Sequence, residues 1–98
     1  MTKLEKVRGL ISEHKPTLAG KFKVKNLFLF GSYARGEAHS GSDMDILVDF
    51  SGSIGMFTFM ELEEYLKRLL KVKKVDLVSR KALKPYIGKH ILQEAVKL

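Results

Sequence analysis

Apolar residues recur at helical spacing in three segments of the chain, and each segment carries polar residues on its other face. The first two segments cover residues 3–14 and 56–71. The third starts near Pro85 and includes Ala95 and Val96. Proline suits the first turn of a helix, where a backbone N–H has no intrahelical partner, so we expect the last helix to begin here.

Two short sequence signals bound the first helix. Thr2-x-x-Glu5 matches a capping box, in which each side chain satisfies a free backbone N–H of the first turn. Pro16 and Gly20 follow the apolar pattern, and both residue types disfavour helix interiors. We therefore expect these two residues to close the segment.

Three short apolar runs predict strands. They cover residues 25–30, 44–50 and 73–79. Successive side chains of a strand point to opposite faces, so the second strand places Asp45 on the face opposite Met44. This strand has one apolar face and one face that carries carboxylates.

The predicted order is α-β-turn-β-α-β-α in a chain of 98 residues, a length that suits one domain over 1–98. The turn, residues 33–42, is small and polar, and one helical turn could start at Ser32. Strands interleaved with helices predict an α/β (α+β) fold, a small mixed sheet flanked by helices on one side. The other side, or one end of the sheet, is then open for a site.

Composition narrows the possible functions. The formal net charge is +7 and the sequence pI about 9.7, which suits anionic partners, although a solubilising lysine coat would give the same numbers. Without cysteine, the chain forms no disulfide or thiolate zinc site and performs no thiol catalysis. The apolar runs are too short to span a membrane and the N-terminal segment lacks the features of a signal peptide, so we expect a cytoplasmic protein without membrane contact.

The aspartates of this basic chain are concentrated in one place. Asp43, Asp45 and Asp49 fall within seven residues, and the fourth aspartate is Asp76. Asp43 and Asp45 share a strand face about 6–7 Å apart. At that separation two carboxylates repel by roughly 3 kcal/mol at an effective dielectric near 20, and a divalent cation between them reverses the sign. Oxygen ligands without nitrogen or sulfur suit Mg²⁺ or Mn²⁺.

Asp76 lies in the third predicted strand, and it would join the pair if the second and third strands are neighbours. Three carboxylates can hold two metal ions about 3.5–4 Å apart, as in displacement at phosphorus. The alternative for Asp76 is a salt bridge to one of the many lysines. Asp49 lies about 13 Å beyond Asp45 along the strand, and we expect it to be solvated.

A candidate phosphate site precedes the acidic motif. The first predicted strand stops at Gly31-Ser32, where backbone N–H groups and the serine hydroxyl could bind a phosphate, and the glycine allows close approach. Arg35 could clamp a phosphate bidentately or tie the turn to an acidic strand end. Ser42 directly precedes the acidic motif and is a further candidate for nucleotide binding.

Gly31-Ser32, followed after ten residues by Asp43-Met44-Asp45, resembles the signature of the nucleotidyltransferase superfamily that includes DNA polymerase β. Ala34-Arg35-Gly36 and Ser42 lie between the two parts. Within this superfamily the chain is most similar to the minimal nucleotidyltransferase (MNT) family. The resemblance extends over essentially the whole chain, including Asp76 and the last helix.

The resemblance implies a polymerase β-like nucleotidyltransferase fold and a magnesium-dependent enzyme. Asp43 and Asp45 would be catalytic metal ligands and Asp76 the third carboxylate, with two Mg²⁺ ions. Gly31-Ser32 would contact the triphosphate of ATP. MNT proteins commonly act as antitoxins of HEPN ribonuclease toxins, and some transfer AMP to a tyrosine of the toxin, which is the role we expect here.

Alternatives remain open from the residues alone. The chain could be a binding module that neutralises its partner by contact, or it could transfer a nucleotide to a small hydroxyl compound such as an antibiotic. The acidic cluster, and the lack of aromatic residues interleaved on a basic face, disfavour direct nucleic-acid binding. Met56 and Phe57 belong to an apolar stretch too bulky for one helix face, and they are candidates for a partner surface.

Overall fold

The alternating apolar segments build a sheet, and the amphipathic segments cover one of its faces. The computed structural model describes residues 3–31, 44–82, 93 and 95–98. Its elements, in chain order, are α1 Lys3–Glu13, α2 Lys15–Phe22, β1 Val24–Phe30, β2 Met44–Phe50, α3 Met56–Leu70, β3 Val75–Ser79, a 3₁₀ turn Arg80–Ala82 and β4 Val96–Lys97. None of the helices within these ranges is long and apolar enough to cross a membrane.

The sheet has four strands in the order β3-β2-β1-β4. β2 runs antiparallel to β1 and parallel to β3, and β4 runs antiparallel to β1. Ile46 in the central strand β2 therefore pairs with Leu29 on one side and with Leu77 on the other. The mixed sheet flanked by helices that the sequence predicts is confirmed.

One apolar cluster joins the sheet to α1, α2 and α3. It contains alternate residues of the strands together with one stripe of each helix, and its members are Val7, Ile11, Leu18, Phe22, Leu27, Leu29, Met44, Ile46, Val48, Leu62, Leu66, Leu70, Val75 and Leu77. The opposite sheet face is also covered in part, because Leu47 on that face is fully buried. The space for a site is therefore narrower than an open sheet face would provide.

The first helix ends at Glu13, within one residue of the predicted end at residue 14, and a second helix that the sequence did not predict follows it. Pro16 lies in the first turn of this second helix, α2, and Gly20 lies inside it. Proline is tolerated in a first turn, and the glycine penalty of about 1 kcal/mol is offset by burial of Leu18 and Phe22. The interpretation of Pro16 and Gly20 as residues that only close the first helix was therefore wrong.

The last predicted helix does not extend through Ala95 and Val96. Ala95 is not helical, and Val96 lies in the short strand β4, where it pairs with Leu29 of β1. The backbone N–H of Leu98 also donates to the carbonyl of Leu27 at 2.8 Å. Pairing satisfies backbone groups on the free edge of β1, which outweighs the helical spacing of these residues. The beginning of this helix, near Pro85, lies outside the described residues.

The sequence predicts a solvated Asp49, and this prediction was wrong. Its side chain is only 18% exposed, Arg80 Nη1 lies 3.7 Å from Asp49 Oδ2, and Asn26 Nδ2 donates to the same oxygen at 3.4 Å. An irregularity in the β1–β2 register between Val24 and Asn26 places Asn26 opposite Asp49. Asp49 therefore has structural partners of its own.

Candidate active site

Two of the predicted carboxylates lie at paired positions on neighbouring strands. Asp45 of β2 and Asp76 of β3 are Cα partners in the parallel register. Neighbouring strands are about 4.8 Å apart and paired residues point to the same face. Both side chains therefore lie on the face opposite the helical core, to which the flanking residues Met44 and Val75 belong. Asp43, the third predicted carboxylate, lies outside the described residues.

The strand pairing concentrates negative charge at this point. Two carboxylates about 5–6 Å apart repel by roughly 3 kcal/mol at an effective dielectric of 20, and solvent lowers this value here because the Asp76 side chain is 47% exposed. Lys74 Nζ lies 3.8 Å from Asp76 Oδ1 and offsets part of the charge. Because the Lys74 side chain is 63% exposed, the ion pair is weak and an incoming cation can displace it.

Gly31 forms the corner that faces Asp45. Its φ is +74°, a left-handed backbone conformation that residues with a Cβ rarely adopt. A Cβ on this residue would overlap Asp45 Oδ2 and would lie 3.2 Å from Asp45 Cγ. The corner therefore requires glycine for two reasons, the backbone conformation and the close approach of the carboxylate.

The two carboxylates open into a cleft of about 500 Å³. It is lined by residues from the end of β1, from β2, from α3 and from β3 with the residue before it, namely Phe30, Asp45, Glu63, Glu64, Lys67, Lys74, Val75, Asp76, Leu77 and Val78. β3 is an edge strand, so the cleft lies at the border of the sheet beside α3. Acidic and basic side chains both line it, and this suits a charged ligand that carries a cation.

The donor set fits a hard divalent cation. Asp45 and Asp76 offer carboxylate oxygens, which Mg²⁺ prefers, and Mg²⁺ commonly takes only one or two protein carboxylates and fills its other positions with water and phosphate oxygens. Within residues 3–31, 44–82, 93 and 95–98, no group of three His, Asp or Glu side chains is close enough to hold a metal. The two registered carboxylates thus provide a partial site with the chemistry that magnesium requires.

The predicted nucleotide-binding residues are described only in part. Gly31 lies beside Asp45, which lines the cleft. Ser32, Arg35 and Ser42 lie outside the described residues, so their roles stay predictions.

Sequence reasoning missed the contribution of α3 to the cleft. Glu63, Glu64 and Lys67 line it, although their helical spacing suggested only a solvated face. No local signal identifies them, because their position depends on how α3 crosses from β2 to β3. Lys74 could have been found, since it lies two residues before Asp76 in the segment predicted as a strand.

Comparisons with known proteins agree with this architecture. A model of the nucleotidyltransferase domain matches residues 11–98. The protein adenylyltransferase MntA of Thermococcus cleftensis is 46% identical over 96 residues, covering 98% of this chain and 96% of the relative. A solved structure provisionally described as a minimal nucleotidyltransferase has a TM-score of 0.75 at 33% identity, covering 94% of this chain and 95% of that one. A toxin–antitoxin structure with AMP-PNP has a TM-score of 0.69 at 25% identity, covering 99% and 72%.

Proposed function

Because the chain belongs to the nucleotidyltransferase domain family, we propose that it is a protein adenylyltransferase antitoxin that transfers AMP from ATP to a tyrosine of a cognate HEPN toxin. The resemblance to the minimal nucleotidyltransferases is confirmed, and so is the enzyme class, a nucleotidyltransferase. The acceptor, the metal and the residue roles belong to the proposal. The name of the Thermococcus relative supports a protein acceptor, and the AMP-PNP in the toxin–antitoxin structure supports a nucleotide substrate.

The observation that carries the proposal is the pairing of Asp45 with Asp76 beside the Gly31 corner. In-line displacement at phosphorus needs a nucleotide, an acceptor oxygen and neutralisation of charge at one point. Because Gly31 has no Cβ, the Asp45 carboxylate can lie against its backbone at the end of β1, and Asp45 and Asp76 line the same cleft. A purely structural ion-pair network would not need a left-handed glycine at the carboxylate.

In the proposed reaction the triphosphate of ATP lies against Gly31 and Ser32, with Arg35 and Ser42 as further contacts. Asp43, Asp45 and Asp76 would hold two Mg²⁺ ions, which would neutralise charge on the phosphate oxygens and lower the pKa of the acceptor hydroxyl. Asp76 orients the tyrosine hydroxyl, which loses its proton to water as its oxygen bonds to the α-phosphorus. The bond from that phosphorus to the bridging oxygen breaks, and pyrophosphate leaves.

The test uses ATP labelled at either the α- or the γ-phosphate, incubated with Mg²⁺, this protein and a HEPN toxin from the same genome. We expect the α-label, and not the γ-label, to be retained on a toxin tyrosine. Asp45→Asn should abolish the transfer. Asp49→Asn is the matched control, because Asp49 lies on the same strand and binds Arg80 instead of lining the cleft.

The outcomes separate this function from its alternatives. Retention of the γ-label would indicate a kinase. Retention of neither label, with inhibition of the toxin intact, would indicate an antitoxin that acts by contact. Label on a small hydroxyl compound but not on the toxin would indicate a different acceptor. Each of these results would overturn the proposed protein adenylyltransferase.

A further inference from the structure

The outer surface of α3 exposes large apolar side chains. Met56, Phe57 and Met60 are 76%, 80% and 54% exposed. An aromatic side chain carries about 150–250 Å², so Phe57 alone presents roughly 120–200 Å² of apolar surface to water. Exposed apolar patches of a few hundred Å² commonly mark interaction sites. This patch lies outside the acidic site and has no role in the chemistry proposed above.

The patch borders a groove between α2 and α3. The groove holds about 720 Å³, and its floor and walls combine apolar and charged residues: His14, Lys21, Phe22, Phe57, Met60, Glu61, Glu64, Tyr65, Arg68 and Leu69. Aromatic rings pack together on one side of it, where the Tyr65 ring centroid lies 5.3 Å from that of Phe22 and 6.2 Å from that of His14. The groove therefore has an aromatic wall with charged groups of both signs around it.

The groove and the acidic cleft are neighbours. Glu64 lines both of them. Because α3 carries Glu63 and Lys67 toward the cleft and Phe57 and Arg68 toward the groove, the two depressions share one helix as their common ridge. A molecule that fills the groove therefore lies against the wall of the cleft in which Asp45 and Asp76 meet.

We propose that the α2–α3 groove is the docking surface for the protein that receives AMP, with Phe57 and Met60 as its apolar anchors. This inference rests on the proposed function. An acceptor side chain that enters the cleft brings the rest of its protein across the ridge at Glu64. The partner would be a folded protein that places an apolar element in the groove and pairs charges with Arg68 and Glu61 on its rim.

The continuity of the two depressions favours this occupant over others. A second copy of this chain in the groove would cover the cleft wall at Glu64 and hinder entry of an acceptor. A membrane surface prefers an apolar strip with cationic neighbours, whereas Glu61 and Glu64 place carboxylates at the edge of this patch. The mixed charges suit a protein interface with a polar rim.

The experiment measures docking separately from catalysis. Binding of the same HEPN toxin is measured by calorimetric titration with the full chain carrying Asp45→Asn, with and without Phe57→Asp or Met60→Asp. Each of these two substitutions should weaken binding by about tenfold or more, as the loss of a central anchor of an interface does. Ala19→Asp is the control, because Ala19 is exposed on α2 and lines a different cavity; it should change affinity by less than about twofold.

Three outcomes decide whether the α2–α3 groove is the docking surface. Unchanged toxin affinity in both variants overturns the docking inference, even if AMP transfer by the parent chain proceeds as proposed. Weakened affinity in both variants supports the docking surface. If the chain without any substitution then transfers no AMP, the proposed function fails while the docking surface stands. Sedimentation of the chain alone tests self-association: a dimer that Phe57→Asp dissociates without any effect on toxin binding would assign the groove to a second copy and overturn the inference.

Discussion

Gly31→Ala tests the geometry on which the candidate active site depends. The substitution adds one methyl group at the end of β1, at a residue whose φ is +74°. That methyl group would overlap Asp45 Oδ2 and would lie 3.2 Å from Cγ and 3.5 Å from Cβ of the same residue. Either the backbone of Gly31 or the carboxylate of Asp45 must therefore move.

The size of the effect follows from these two conflicts. A left-handed conformation of a residue with a Cβ costs about 1–2 kcal/mol. Turning the Asp45 carboxylate away from the added methyl group, out of its preferred rotamer, costs about 0.5–1.5 kcal/mol more. We expect the free energy of unfolding to fall by about 1.5–3.5 kcal/mol, against a total of about 5–15 kcal/mol for a typical domain. A displacement of Asp45 by about 1 Å should lower the transfer rate by about 100-fold.

The matched controls are Gly9→Ala in α1 and Gly20→Ala in α2. Both glycines are exposed, and an added Cβ meets nothing within 4 Å. Alanine is the better helix former, so each control should raise the free energy of unfolding by about 0.5–1 kcal/mol. Urea denaturation followed by circular dichroism measures stability, and α-labelled ATP measures transfer to the toxin. The substitution of glycine by alanine should therefore lower the free energy of unfolding at Gly31 and raise it at the two helical positions.

Two results would refute this reasoning. If Gly31→Ala unfolds at the same urea concentration as the parent chain, the corner does not require a left-handed glycine. If the variant is destabilised but transfers AMP at the parent rate at a temperature where it is folded, the position of Asp45 beside Gly31 does not matter for the chemistry.

Three further substitutions test the core, a helix end and the acidic cleft. Leu66→Ala should lower the free energy of unfolding by about 2–5 kcal/mol in urea, because Leu66 is fully buried in the core; a loss below about 1 kcal/mol would contradict this packing. Lys71→Gly should raise the melting temperature, because Lys71 ends α3 at φ 54° and glycine relieves up to about 1 kcal/mol of strain there; a lower melting temperature would contradict it. Lys74→Met removes the cation beside Asp76, so Mn²⁺ titrated without nucleotide and followed by electron paramagnetic resonance should bind about two- to fivefold more tightly. Lys73→Met, at the exposed neighbour, should leave that affinity unchanged, and equal effects of the two changes would exclude a specific role of Lys74.

The sequence predicted elements best where one face of a segment is clearly apolar. Strand 44–50 has the predicted bounds because apolar residues occupy every position on one of its faces and two carboxylates lie on the other. α2 was missed because Pro16 and Gly20 suggested a break, although Leu18 and Phe22 have the spacing of a buried helical stripe. Local signals thus gave too much weight to residues that discourage helices and too little to a stripe of two residues.

Elements that exist only through pairing escape such reasoning. β4 is two residues long, and nothing in Val96–Lys97 distinguishes it from the helix that the spacing predicts. Its formation depends on the free edge of β1, which is a property of the sheet and not of the segment. The partners of Asp49 were unpredictable for the same reason, because they depend on a register shift near Asn26.

The acidic site is the opposite case, since burial of apolar residues determines its register. Parallel strands need a crossover between them, and α3 provides the one between β2 and β3. A slip of one residue in β3 would turn Val75 and Leu77 to the outer face and bring Asp76 into the apolar core. A buried, unpaired carboxylate costs several kcal/mol, so the slipped register is strongly disfavoured. The packing of two apolar residues against α3 therefore holds Asp76 beside Asp45, and the same helix then provides the wall between the cleft and the groove.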